Sequence, residues 1–96
     1  MKKLTIEEIK EKAIPILRNA GIKRSSLFGS YVRGEEHERS DVDLLVEYPE
    51  NTSLFDVIAL KHKLEASLGT SVDLVGFNVI KPRLKQYILS EQQPIL

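Results

Sequence analysis

Two short motifs at a fixed distance constrain this chain more than any other feature. The apolar pair Leu27-Phe28 runs into Gly29-Ser30, ten residues follow from Tyr31 to Ser40, and Asp41-Val42-Asp43 then heads the apolar stretch Leu44-Leu45-Val46. Both apolar stretches read as strands. The connection between them is too short for a full parallel crossover helix, so the sheet is expected to be antiparallel or mixed at this point. On a strand, alternate side chains share a face. Asp41 and Asp43 are therefore expected on one face, about 6.5–7 Å apart along the chain. Two ionised carboxylates side by side repel, and a cation between them relieves the repulsion. Oxygen ligands suit Mg²⁺, which commonly arrives with phosphates. Gly29 permits close backbone approach, and Ser30 offers a hydroxyl and an N–H to such phosphates. The stretch reads as a metal and nucleotide site.

The remaining elements follow from caps and periodicity. Thr5 and Glu8 form a capping-box pattern that starts a helix near Ile6. Ile6, Ile9, Ala13, Ile16, Leu17 and Ala20 give it an apolar stripe. Pro15 is expected to kink or split it, and Gly21 to end it. Residues 22–28 read as the first strand and 41–47 as the second, closed by Pro49. Tyr31-Val32-Arg33 suggests a short helix stopped by Gly34, whose N–H groups would face a phosphate. Ser53 and Asp56 form a second capping box. Leu54, Val57, Ile58, Leu64 and Leu68 are read as the buried stripe of that helix, with Gly69 as its C-cap. Residues 72–75 form a third strand, ending at Gly76. Pro82 opens a last helix with Leu84, Tyr87 and Ile88 toward the core, and Pro94 limits the tail to an edge strand or coil. Asp73 falls inside this third strand, between Val72 and Leu74. A charge there is costly if buried alone. Paired beside the second strand, it would complete a cluster of three carboxylates.

Composition removes several classes. The 96 residues fit a single small domain over 1–96. No apolar run approaches a membrane span, and Met1-Lys2-Lys3 leads straight into a charged amphipathic pattern without a signal core. Cysteine is absent, which fits the cytoplasm. The formal net charge is zero but unevenly spread. Residues 1–34 hold eight Lys/Arg and three Asp/Glu, residues 35–56 one Arg and eight acids, and residues 57–96 five basic and three acidic side chains. No basic track for a nucleic acid is apparent, so direct nucleic-acid binding is not expected. Glu35, Glu36 and Glu38 read as a solvated loop. His37 and His62 have no second His or Cys at ligand spacing and are read as solvent-facing. Arg33 could neutralise phosphate as a bidentate donor or pin the acidic loop. Arg39 shares this ambiguity, Tyr31 reads as packing, and the run Lys81-Pro82-Arg83-x-Lys85 reads as a solvated helix start.

Gly29-Ser30 followed after ten residues by Asp41-x-Asp43 resembles the signature of the DNA polymerase β-like nucleotidyltransferase superfamily. The fuller string Phe28-Gly29-Ser30-Tyr31-x-Arg33-Gly34 and Ser40-Asp41-x-Asp43-Leu44 is similar to its minimal, MntA-like domains, which are often paired with HEPN-domain toxins. The resemblance covers nearly the whole chain. It implies an α/β (α+β) fold with a small mixed sheet flanked by helices. It implies metal and catalytic roles for Asp41, Asp43 and Asp73, and nucleotide contacts from Gly29, Ser30 and Arg33. Two Mg²⁺ ions and ATP are the implied cofactor and substrate. Attack is implied at the α-phosphorus, with AMP passed to a tyrosine of a HEPN-type toxin and the chain acting as its antitoxin. No acceptor-binding domain is visible. The alternatives are an antitoxin that neutralises its toxin by binding alone, or a small-molecule nucleotidyltransferase of the antibiotic-modifying kind, for which a homo-oligomer could build the pocket.

Overall fold

The fold rests on the strand Val42–Val46, which is paired on both sides. The computed structural model describes residues 4–29, 41–77 and 82–96, apart from the side chains of Leu84 and Tyr87. In chain order these form α1 (Ile6–Asn19), β1 (Ser25–Phe28), β2 (Val42–Val46), α2 (Leu54–Leu68), β3 (Val72–Gly76), α3 (Pro82–Glu91) and β4 (Gln93–Pro94). The sheet order is β3-β2-β1-β4. β1 runs antiparallel to β2 and β4, and β3 runs parallel to β2. The sheet is therefore mixed, as the connection lengths require. The short link from β1 to β2 gives an antiparallel pair, and the longer link through α2 allows the parallel one.

Both capping boxes form. Thr5 Oγ1 accepts from the Glu8 N–H at 3.0 Å, and the Glu8 carboxylate accepts from the Thr5 N–H at 3.2 Å. Ser53 and Asp56 exchange the equivalent bonds at 3.1 and 3.0 Å. Each box satisfies two backbone donors that the helix itself leaves unpaired. Gly69 closes α2 in the left-handed conformation, φ 72°, as an αL C-cap.

α1 does not split at Pro15. It runs unbroken from Ile6 to Asn19 with Pro15 exposed. Proline removes one backbone bond, but Ala13 and Leu17 on either side are fully buried and hold the helix to the sheet. Ala20, assigned to the apolar stripe, is exposed as the C-cap. The first strand is shorter than the sequence suggests. It starts at Ser25, while Ile22 packs into the core from the preceding loop.

α1 and α2 cover one sheet face. Ile9, Ala13 and Leu17 meet Leu60, Leu64 and Leu68 over Leu27, Val42, Leu44, Val46 and Val72. The stripe read for α2 is partly wrong. Leu54 and Ile58 are 73% and 42% exposed, and Phe55 is 83% exposed. The start of α2 is apolar on more than one side, so two rows compete for the core. The row Leu60-Leu64-Leu68 at four-residue spacing continues to the end of the helix, and this row is buried.

Polar ties fix the strands. The Ser25 hydroxyl, fully buried, donates to the Leu45 carbonyl at 2.8 Å. The Glu65 carboxylate accepts the Val72 N–H at 3.0 Å and so anchors the start of β3 to α2. The Arg24 guanidinium lies 4.2 Å from the centre of the Phe77 ring, linking the entry of β1 to the exit of β3. Pro94 sits in the edge strand opposite Ser26, and Pro82 opens α3, both as expected. Among the described residues no helix is long and apolar enough to cross a membrane.

Two outcomes follow. Leu64→Ala should cost about 2–5 kcal/mol in urea unfolding, whereas Phe55→Ser should stay within about 0.5 kcal/mol. The Ser53 hydrogen bonds hold the Asp56 carboxyl below its ordinary 3.8. The ionised cap therefore contributes in full above that ordinary value, and its contribution is lost as pH falls through the depressed one. The gap in urea midpoint between wild type and Asp56→Asn should be largest near neutrality and shrink on acidification. A gap unchanged down to the acid limit would refute the assignment.

Candidate active site

The candidate residues gather on the sheet face turned away from α1 and α2. Val42, Leu44 and Val46 point into the helical core, so alternation puts Asp43 and Leu45 on the other side. Register then builds a row across three strands. Phe28 is the Cα partner of Asp43 on the antiparallel side, and Asp73 is its partner on the parallel side. Adjacent strands lie about 4.8 Å apart, so the Asp43 and Asp73 backbones are direct neighbours. Asp43 is half-buried and Asp73 exposed. Like charges directly opposite on a sheet destabilise it, and a bound cation reverses the sign of that term.

Asp41 stands exposed, one residue before β2. Pairing begins just after it, where the Val42 N–H donates to the Ser71 carbonyl at 3.0 Å. Among the described residues no group of three His, Cys, Asp or Glu side chains is close enough together to hold a metal ion. The structure thus brings Asp43 and Asp73 together in register and leaves Asp41 on the chain leading into that row. Ser30 and Arg33 lie outside the described residues, as do Tyr31, His37, Arg39 and the expected helix at 31–33. His62 is exposed, as expected.

Gly29 follows Phe28 directly. It is buried, with φ 82°. A β-carbon built on it would overlap Oδ2 of Asp43 and stand 3.2 Å from its Cγ. The backbone cradle at Gly29 is therefore occupied by the Asp43 carboxylate. Asp43 and Asp73 supply only carboxylate oxygens, the donor type a hard divalent cation takes, from neighbouring strands of one sheet face. The sequence reading gives Phe28 no part here. Alternation from the buried Leu27 puts it on the carboxylate face, a signal available once β1 is recognised as a strand.

A cavity of about 340 Å³ lies elsewhere, at the far end of β2, between Ile22, Tyr48, Asp56, Leu60 and Lys63. Among the described residues, none of the candidates lines it. Partial burial there pushes the Tyr48 phenol above its ordinary 10.0.

Comparison with known proteins places this geometry. Residues 11–96 match the family model described as polymerase beta, nucleotidyltransferase. The chain is 50% identical over 93 residues to MJ0435 of Methanocaldococcus jannaschii, assigned as a protein adenylyltransferase, covering 97% of this chain and 100% of that protein. It is 41% identical over 95 residues to the protein adenylyltransferase MntA of Thermococcus cleftensis, covering 95% and 96%. A solved structure described as a toxin-antitoxin with AMP-PNP superposes with a TM-score of 0.79 at 28% identity, covering 91% of this chain and 72% of that one. With its mixed sheet, its aspartate row and these relatives, the chain belongs to the polymerase β nucleotidyltransferase family, among its minimal, MntA-like enzymes.

Proposed function

We propose that the chain transfers AMP from ATP to a tyrosine of a cognate HEPN-type toxin in the cytoplasm and thereby acts as its antitoxin. The observation that carries this reading is the register of Asp43 with Asp73 on a sheet face not covered by α1 and α2, beside the Gly29 cradle. The names of the relatives support protein adenylylation, and the toxin-antitoxin structure with AMP-PNP supports both the nucleotide and the partner.

Asp41 and Asp43 would hold one Mg²⁺, and Asp73 would share in a second. Bound cations would offset charge on the triphosphate and on the attacking and leaving oxygens. Gly29 and Ser30 would offer the β- and γ-phosphates a close backbone approach and hydrogen-bond donors, with Arg33 adding positive charge. The acceptor hydroxyl oxygen forms a bond to the α-phosphorus. The bond from that phosphorus to the bridging oxygen breaks, and pyrophosphate leaves. Asp73 takes the hydroxyl proton, and its exposure lets it pass the proton on to water.

Intact-mass measurement of the co-purified toxin with ATP and Mg²⁺ tests the reading. Wild type should add one or more AMP units. Asp43→Asn and Asp73→Asn should slow that gain by about 10²-fold or more while still forming the complex. A stable complex without added mass from wild type would overturn transfer and leave neutralisation by binding.

A further inference from the structure

We propose that Gly29 is a positioning residue for Asp43: the β-carbon it lacks leaves the seat in which the Asp43 carboxylate rests. The proposal rests on the functional reading above only in taking Asp43 as a metal ligand. The contact itself is geometric. Gly29 is the first residue beyond the β1 ladder, directly after Phe28, the register partner of Asp43. Its ideal β-carbon position overlaps Oδ2 of Asp43 and lies 3.2 Å from Cγ and 3.4 Å from Cβ. A substituted side chain and that carboxylate cannot share the space.

The nearest atom, Oδ2, is the far end of a side chain, so relief is cheapest there. The β2 backbone is held by ladders on both sides, and its neighbours Val42 and Leu44 are fully buried. Moving the strand would open the core on the opposite face, so the short Asp43 side chain rotates at lower cost. Turning it out of its rotamer costs about 0.5–1.5 kcal/mol. More important for function, the rotation re-aims the oxygen that faces the turn. Glycine at 29 therefore answers two separate demands. One is the backbone angle φ 82°, which asparagine also tolerates. The other is the empty β-carbon position, which no other residue supplies.

The two demands separate experimentally. Melting temperatures are measured for wild type, Gly29→Asn, Gly29→Ala, Asp43→Ala and the two corresponding double variants. Gly29→Asn should lower Tm by about 4–10 °C when Asp43 is present. It should lower it by less than half as much in the Asp43→Ala background, where the overlapping oxygen is gone. Gly29→Ala should retain a larger residual loss in that background, because alanine also resists the backbone angle. Equal losses from Gly29→Asn in both backgrounds overturn the proposal. Mn²⁺ binding followed by electron paramagnetic resonance, at a temperature where both proteins are folded, gives the functional arm. Gly29→Asn should bind about tenfold more weakly than wild type, and unchanged affinity also overturns the positioning role. If wild type binds no Mn²⁺, the metal reading falls by itself, and the melting cycle alone decides the contact.

Discussion

The pairing of β2 on both sides is the constraint on which everything else depends. One strand carries a fully buried apolar row, Val42, Leu44 and Val46, on one face. It carries Asp43 on the other. Burial of the apolar row fixes the facing, because a slip of one residue would put the aspartate into the helical core. Antiparallel pairing with β1 then brings Phe28 and the Gly29 turn to Asp43, and parallel pairing with β3 brings Asp73. The hydrophobic effect thus places the carboxylates without touching them. Each fully buried leucine or valine contributes about 1.5–3 kcal/mol, far more than one carboxylate repulsion across strands removes.

The division of the molecule follows from the same facing. Most of the buried apolar core lies under α1 and α2, locked by the two capping boxes and the Glu65 tie to β3, while Leu45 is fully buried on the other face. The candidate chemistry occupies the other face, at the end of β1 and the start of β2 and β3. Neither Asp43 nor Asp73 belongs to the helical core, so loss of chemistry on substituting them is to be measured beside, and apart from, loss of fold. The cavity near Tyr48 lies at the opposite end of β2 from Asp43.

The exposed start of α2 stands apart from both. Leu54, Phe55 and Ile58 contribute nothing to the core, yet they make that turn as apolar as a buried one. Periodicity reports which residues can share a face, and where two apolar rows coexist it does not say which row the sheet will cover. The same limit applies to Pro15. Its local cost is legible in the sequence, but the tertiary packing that outweighs it is not.

The sequence by itself determined the elements that depend on near neighbours. The capping boxes at Thr5 and Ser53, the stop at Gly69, the strand around Asp43 and the motif spacing that marks the family are all local patterns, readable because each is fixed by residues within a few positions. The tertiary structure decided what depends on distant residues meeting. It set the strand order β3-β2-β1-β4, the parallel register that puts Asp73 beside Asp43 thirty residues further along the chain, and the row of α2 that is buried. It also gave Gly29 a neighbour that the sequence does not name, since the Asp43 carboxylate reaches that turn only when β1 and β2 pair in register. Pairing register arises from burying one face of the whole sheet at once, and no single segment carries that information.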